Sequence, residues 1–140
     1  MIPGTEQTWV ERDGVRLRVH HAGNGPLVVL LHGFPELAYS WRHQFGPLVA
    51  AGYGESSSSP DIEAFALEEL ARDVAAVIDH FGGGPAAVIG HDWGAPVAWH
   101  SALRFPGRIH AVGSLSVPHA ARAPARAAWT GSMPPGTWPT

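Results

Sequence analysis

A chain of 140 residues that is 45% hydrophobic and 15% charged has the length and composition of one globular domain with one core, not of a disordered segment. Nine Lys+Arg against twelve Asp+Glu leave a net charge of −3, which excludes the basic field that would attract nucleic acid or an anionic membrane. Cysteine is absent, which excludes disulfides and thiolate metal sites, and no apolar stretch approaches the ~20 residues needed to span a bilayer.

Met1 to Thr8 carry no basic segment followed by an apolar run, so no signal peptide is expected and a cytoplasmic location is. Asp13-Gly14 then separates two alternating segments, Thr8 to Arg12 and Val15 to Ala22. A DG pair in that setting predicts a β-hairpin, because both turn positions require positive φ. Gly23 to Pro26 is a second turn. Leu27 to Leu31 is a continuous apolar run, suited to a strand buried on both faces, with His32-Gly33-Phe34-Pro35-Glu36 at its carboxyl end.

Ser40 is placed to cap a helix from about Trp41 to Ala51, with Trp41, Phe45, Leu48 and Val49 on one face and Pro47 arguing for a kink or break. Gly52 to Pro60 is polar and turn-like. A second helix is expected over Leu67 to Phe81, its stripe formed by Leu70, Val74, Val77, Ile78 and Phe81, and Gly82-Gly83-Gly84-Pro85 stops it. Ala86 to Ile89 reads as a short buried strand. Gly90-His91-Asp92-Trp93-Gly94 makes a tight turn, and a helix follows to about Arg104. Ala111 to Val117 reads as another apolar strand, and Ala120 to Thr140 as an irregular tail. The nine histidines are scattered, so no metal site is expected.

Strands alternating with helices indicate an α/β fold: a mostly parallel sheet with an N-terminal antiparallel hairpin and helices on both faces. Sites in such sheets lie beyond the carboxyl ends of the strands, where both special loops fall. Small-x-nucleophile-x-small between a strand and a helix is the nucleophile elbow of α/β-hydrolases. Gly90 and Gly94 are its small positions and Asp92 its apex. An aspartate there attacks saturated carbon and forms an alkyl ester that water must cleave. On spacing alone, an Asp92 that merely caps the following helix is an equal alternative. The strand-turn-helix context favours the elbow. The loop after the apolar strand supplies one oxyanion-hole N–H in this fold, so the backbone donors expected are Phe34 and Trp93. Pro35 has no N–H to give. His32, Gly33, Pro35 and Trp93 are expected to line the substrate pocket, and His32 and His91 to orient backbone by hydrogen bonds, not to act as bases.

His32-Gly33-Phe34-Pro35-Glu36, Tyr39-Ser40-Trp41-Arg42-His43-Gln44-Phe45, Ala50 to Tyr53, Gly54 to Ser57, Gly90 to Gly94 and Ser116-Val117-Pro118-His119 together resemble the soluble epoxide hydrolases over roughly Val10 to His119. Haloalkane dehalogenases share the aspartate elbow but usually carry Asn where Phe34 stands, so Phe34 favours an epoxide. The resemblance implies that Asp92 opens a small hydrophobic epoxide by attack on a ring carbon, that two cap tyrosines protonate the epoxide oxygen, and that a histidine oriented by an acid activates water against the ester. The product is a vicinal diol, and neither cofactor nor metal takes part.

The sequence departs from that family in three places. Gly52-Tyr53 runs straight into Gly54-Glu55-Ser56, as if about ten residues with a strand were missing. In the family that strand lies between the hairpin and the Leu27–Leu31 strand. Its loss predicts either direct pairing of those two or open edges and self-association. The residues that resemble the family also stop where the cap would begin, with Tyr39 and Tyr53 in the wrong segments to replace its tyrosines. The later strands with the triad acid and histidine are not represented, and His110 and His119 do not hold the base position. The expectation is a partial hydrolase core, 1–119, followed by a tail, 120–140, with little turnover as an isolated chain. A dehalogenase, a non-catalytic fragment and one half of a split enzyme are the alternatives.

Overall fold

The structure, a computed structural model, describes residues 2–50 and 67–119. The polar stretch around Gly52 to Pro60, the abrupt Gly-Tyr junction and the 120–140 tail lie outside those residues.

Strands β1 (Glu6–Arg12) and β2 (Val15–His21) pair antiparallel across Asp13 and Gly14, whose φ values are 48° and 83°. β3 (Val28–Leu31), β4 (Ala86–His91) and β5 (Ile109–Leu115) form a second, parallel sheet in that order. A 3-10 turn, Ala38–Trp41, leads into helix α1 (Arg42–Ala50). α2 (Leu67–His80) precedes β4, and α3 (Gly94–Arg104) joins β4 to β5.

Helices cover both faces of the parallel sheet because β3 alternates. Val28 and Leu30 pack with Trp41 and Phe45 on one side. Val29 turns to the other side, where it meets Val74, Val77 and Ile78 of α2, Val97 and Ala98 of α3, and Val10, Leu17 and Val19 of the hairpin. The helical stripe of α2 is therefore the seam of the main core.

Three expectations need correcting. Ser40 caps no helix: it sits inside the 3-10 turn, whose preceding residue Leu37 makes no side-chain capping bond. Pro47 lies within α1 and does not break it. The last strand is Ile109–Leu115, two residues earlier than its apolar residues suggest. Its ladder begins at Ala86↔Ile109, and Ser116, at φ 72°, ends the extended run. On the gap in the sheet, β2 forms no ladder with β3 among the described residues: the hairpin and the parallel strands are two separate sheets.

Among the described residues the hairpin is held to the rest by packing and by a polar clasp at Arg12. Arg12 gives Nε to Asp73 Oδ1 at 2.8 Å and Nη2 to Glu69 Oε2 at 3.0 Å, so a β1 side chain is fixed to two carboxylates of α2. Bidentate sharing of that kind suits the planar guanidinium.

Candidate active site

Parallel pairing decides where the two special loops meet. Leu31 stands opposite Gly90 in the β3–β4 register, so the chain leaves both strands at the same edge of the sheet. His32 to Glu36 and His91 to Gly94 are neighbours for that reason.

Asp92 occupies the left-handed region at φ 53°, which non-glycine residues enter uncommonly and aspartate more readily than most. Its N–H donates to the Leu115 carbonyl at 3.2 Å, and its carbonyl accepts the Ala95 N–H at 3.0 Å. One bond ties the bend to β5 and the other starts α3. The flanking glycines are sterically required. A methyl on Gly90 would fall on the Gly94 carbonyl, and a methyl on Gly94 would fall on the Leu31 carbonyl. Gly33 is required as well, since its Cβ would lie 2.5 Å from the Cβ of Asp92.

The Asp92 carboxylate is half-buried and accepts the Trp93 N–H on Oδ2 at 2.6 Å. That is not the pattern of a helix cap, in which the side chain accepts from the second or third N–H of the helix. Oδ2 is thereby held by the backbone of the next residue.

The facing loop is a tight turn closed by the Glu36 N–H on the Gly33 carbonyl at 2.9 Å, with a cis Phe34-Pro35 bond inside it. His32 directs Nδ1 to the Gly33 carbonyl at 3.0 Å. The Phe34 and Trp93 side chains, on the facing loop and next to Asp92, are strongly exposed, at 73% and 65%. Of the residues expected from the sequence, Asp92 touches both Gly33 and Trp93, and His32, Phe34 and Pro35 lie on the same loop as Gly33. Among the described residues no group of three His, Asp or Glu side chains is arranged to hold a metal.

One feature was not anticipated. His91 Nδ1 and Glu36 Oε2 are 3.2 Å apart and bridge the elbow to the loop. Both residues stood in the motifs, and their opposite charge potential was the only sequence signal for the pair.

The family profile of the alpha/beta hydrolase fold matches residues 26–132. The chain is 46% identical to Epoxide hydrolase A of Mycobacterium tuberculosis, across 81% of its own length and 39% of that protein's. It is 44% identical to Bifunctional epoxide hydrolase 2 of Sus scrofa, across 76% of itself and 21% of that protein. Among solved structures, Epoxide Hydrolase A from Mycobacterium thermoresistibile matches with a TM-score of 0.78 and 46% identity, over 89% of this chain and 43% of that one. The chain thus spans less than half the length of these relatives. Among the described residues no helix is long and apolar enough to cross a membrane.

Proposed function

The chain belongs to the α/β-hydrolase fold family, and from that premise we propose that it carries the nucleophile and oxyanion hole of an epoxide hydrolase. The observation that carries the reading is the Trp93 N–H on Asp92 Oδ2 at 2.6 Å, at the apex of a left-handed turn against Gly33. The epoxide hydrolase names of the similar proteins support the substrate class. Phe34, at the position where dehalogenases usually carry Asn, supports it over a haloalkane.

The free oxygen of Asp92 attacks a ring carbon of a small hydrophobic epoxide. A carbon–oxygen bond forms and a ring carbon–oxygen bond breaks. The epoxide oxygen keeps that electron pair and takes up one proton from solvent water, which leaves a hydroxyalkyl ester on Asp92 and hydroxide in the solvent. Water then adds to the ester carbonyl carbon. The negative oxygen that forms is held by the N–H groups of Trp93 and Phe34. Collapse expels the diol and returns the carboxylate. No cofactor enters this sequence of steps, and the exposed Phe34 and Trp93 rings with Pro35, His32 and Gly33 form the wall against which the apolar substrate rests. A cytoplasmic setting belongs to the same reading.

The second half-reaction needs a base. His32 is bonded to the Gly33 carbonyl, His91 to Glu36, and His119 is stacked edge-on against Trp99 at 4.9 Å between ring centres. We therefore expect these 140 residues by themselves to stop at the ester. The test is intact and peptide mass spectrometry after incubation with an aryl epoxide. The expected result is one epoxide mass added on the peptide that contains Asp92, and none for Asp92→Ala. An unlabelled Asp92 overturns the nucleophile assignment, and steady diol formation by the purified chain overturns the arrest at the ester.

A further inference from the structure

The turn from Gly33 to Glu36 is pinned to the elbow at two places. At one end Gly33 lies against Asp92 with no room for a side chain. At the other the Glu36 carboxylate reaches His91, the residue immediately before Asp92, at 3.2 Å. Phe34 lies between the two pins. The Glu36 N–H also closes the turn onto the Gly33 carbonyl at 2.9 Å, so Glu36 is bonded by its backbone to the loop and by its side chain to the elbow.

We propose that Glu36 and His91 are positioning residues, a clasp that sets the Phe34 N–H relative to the Asp92 carboxylate and so builds the second half of the oxyanion hole. This rests on the hydrolase reading given above. The Trp93 N–H needs no such help, because it is covalently next to Asp92. The Phe34 N–H comes from a different segment, and its position depends on what holds the loop. Two exposed pocket residues, Phe34 and Trp93, have little packing around them to serve instead.

The magnitudes separate this role from a structural one. Both partners are about one-third exposed, at 36% and 35%, and a side-chain pair in that setting contributes little to folding. A loop displaced by about 1 Å at a reacting centre, by contrast, costs on the order of 100-fold in rate. Loss of the clasp should therefore be visible in the chemistry and nearly invisible in stability.

The experiment starts from the Asp92 ester of the full 140-residue chain and follows its cleavage by added hydroxylamine, a nucleophile that needs no protein base. The hydroxamate formed at Asp92 and the diol released are both read by mass. Glu36→Leu and His91→Leu are each expected to slow cleavage about tenfold or more, and the double variant no further, because both remove one interaction. Glu36→Gln, which keeps an acceptor, should retain most of the rate. The thermal midpoint and the epoxide concentration that half-saturates ester formation should stay at the wild-type values. Additive losses, unchanged cleavage, or losses that follow the thermal midpoint overturn the clasp. A wild-type chain that forms no ester overturns the hydrolase reading instead. The clasp then stands or falls on amide spectra, in which Glu36→Leu and His91→Leu must shift the Phe34 N–H resonance alike. A Phe34 resonance unmoved by either refutes it.

Discussion

Gly33 and Asp92, 59 residues apart in sequence, stand so close that a Cβ on the glycine would lie 2.5 Å from the Cβ of the aspartate. Neither partner can yield cheaply, since the Asp92 Cβ is fixed by a bend at φ 53° that is bonded to Leu115 and Ala95. Gly33→Ala must push the loop away from the elbow. Overpacking of this kind costs about 1–3 kcal/mol, which a domain of this size survives. The expected outcome is a folded chain whose labelling at Asp92 by an aryl epoxide falls on the order of 100-fold. Gly107→Ala is the control, because nothing lies within 4 Å of a Cβ built there. Equal labelling of the two variants by mass spectrometry would show that the contact has no bearing on the carboxylate.

Short-range signals made most of the fold legible. Asp13-Gly14 gave the hairpin turn, the α2 stripe gave the core seam, and two glycines around Asp92 gave the elbow. Pairing between distant segments was less legible. That β2 forms no ladder with β3 among the described residues follows from which strands find partners, and no local pattern carries that information. The strand end at Ser116 was misplaced for a related reason. Ala111 to Val117 is apolar, but the ladder with β4 and a left-handed residue decide where extension stops. The Glu36–His91 bridge also escaped, because side chains 55 residues apart become neighbours only once Leu31 and Gly90 are in register.

His20 is 7% exposed and sits between Thr5 and Gln7. Thr5 gives its hydroxyl proton to the Ile2 carbonyl at 2.8 Å, so it accepts from Nδ1–H of the ring, and Gln7 Nε2 donates to the ring's Nε2 at 3.1 Å. That arrangement suits the neutral imidazole. Burial first, and then Arg18 and His21, hold the group below its ordinary 6.5. The unfolded chain therefore takes up the proton at a higher pH than the folded one. The stabilisation is present above about 6.5 and is lost as pH falls below it. Urea midpoints measured from about pH 7.5 down to 5.5 should decline, and His20→Gln should flatten the decline. Parallel slopes for the two proteins would disprove the assignment.

Strand edges give a prediction about association. β1 and β2 pair only with each other, and β3 and β5 pair only with β4, among the described residues. Unpaired strand edges template further pairing. The mass measured by light scattering should therefore rise with protein concentration. A proline at Val112, on β5, removes one donor from that strand and should lower the rise if β5 is the edge used. A constant monomer mass across the accessible concentration range would exclude edge association.

The Arg12 clasp carries the firmest stability prediction. It joins a hairpin that makes no ladder with the parallel strands to the helix that crosses them. The side chains of Arg12 and Asp73 are only 14% and 6% exposed, so removing the cation leaves a carboxylate in the core without its partner. Breaking a buried pair from one side costs about 3–5 kcal/mol, and Arg12→Leu should lose that much at neutral pH. The deficit must depend on pH with a definite sign. Burial raises the Asp73 pKa above its ordinary 3.8, against the opposing effect of the Arg12 bond. A raised carboxyl favours folding below the unfolded value and loses that contribution as pH rises through the folded one. Without Arg12 the folded value moves higher still, so the loss extends towards neutrality. Urea unfolding of variant and wild type, compared at about pH 7 and again near pH 4, should show the difference shrinking in acid. Asp73→Leu added to Arg12→Leu should recover part of the loss at pH 7, since an apolar pair leaves no buried charge. A deficit equal at both pH values, or deepened by the second substitution, would mean that Arg12 acts through its aliphatic packing and not through Asp73.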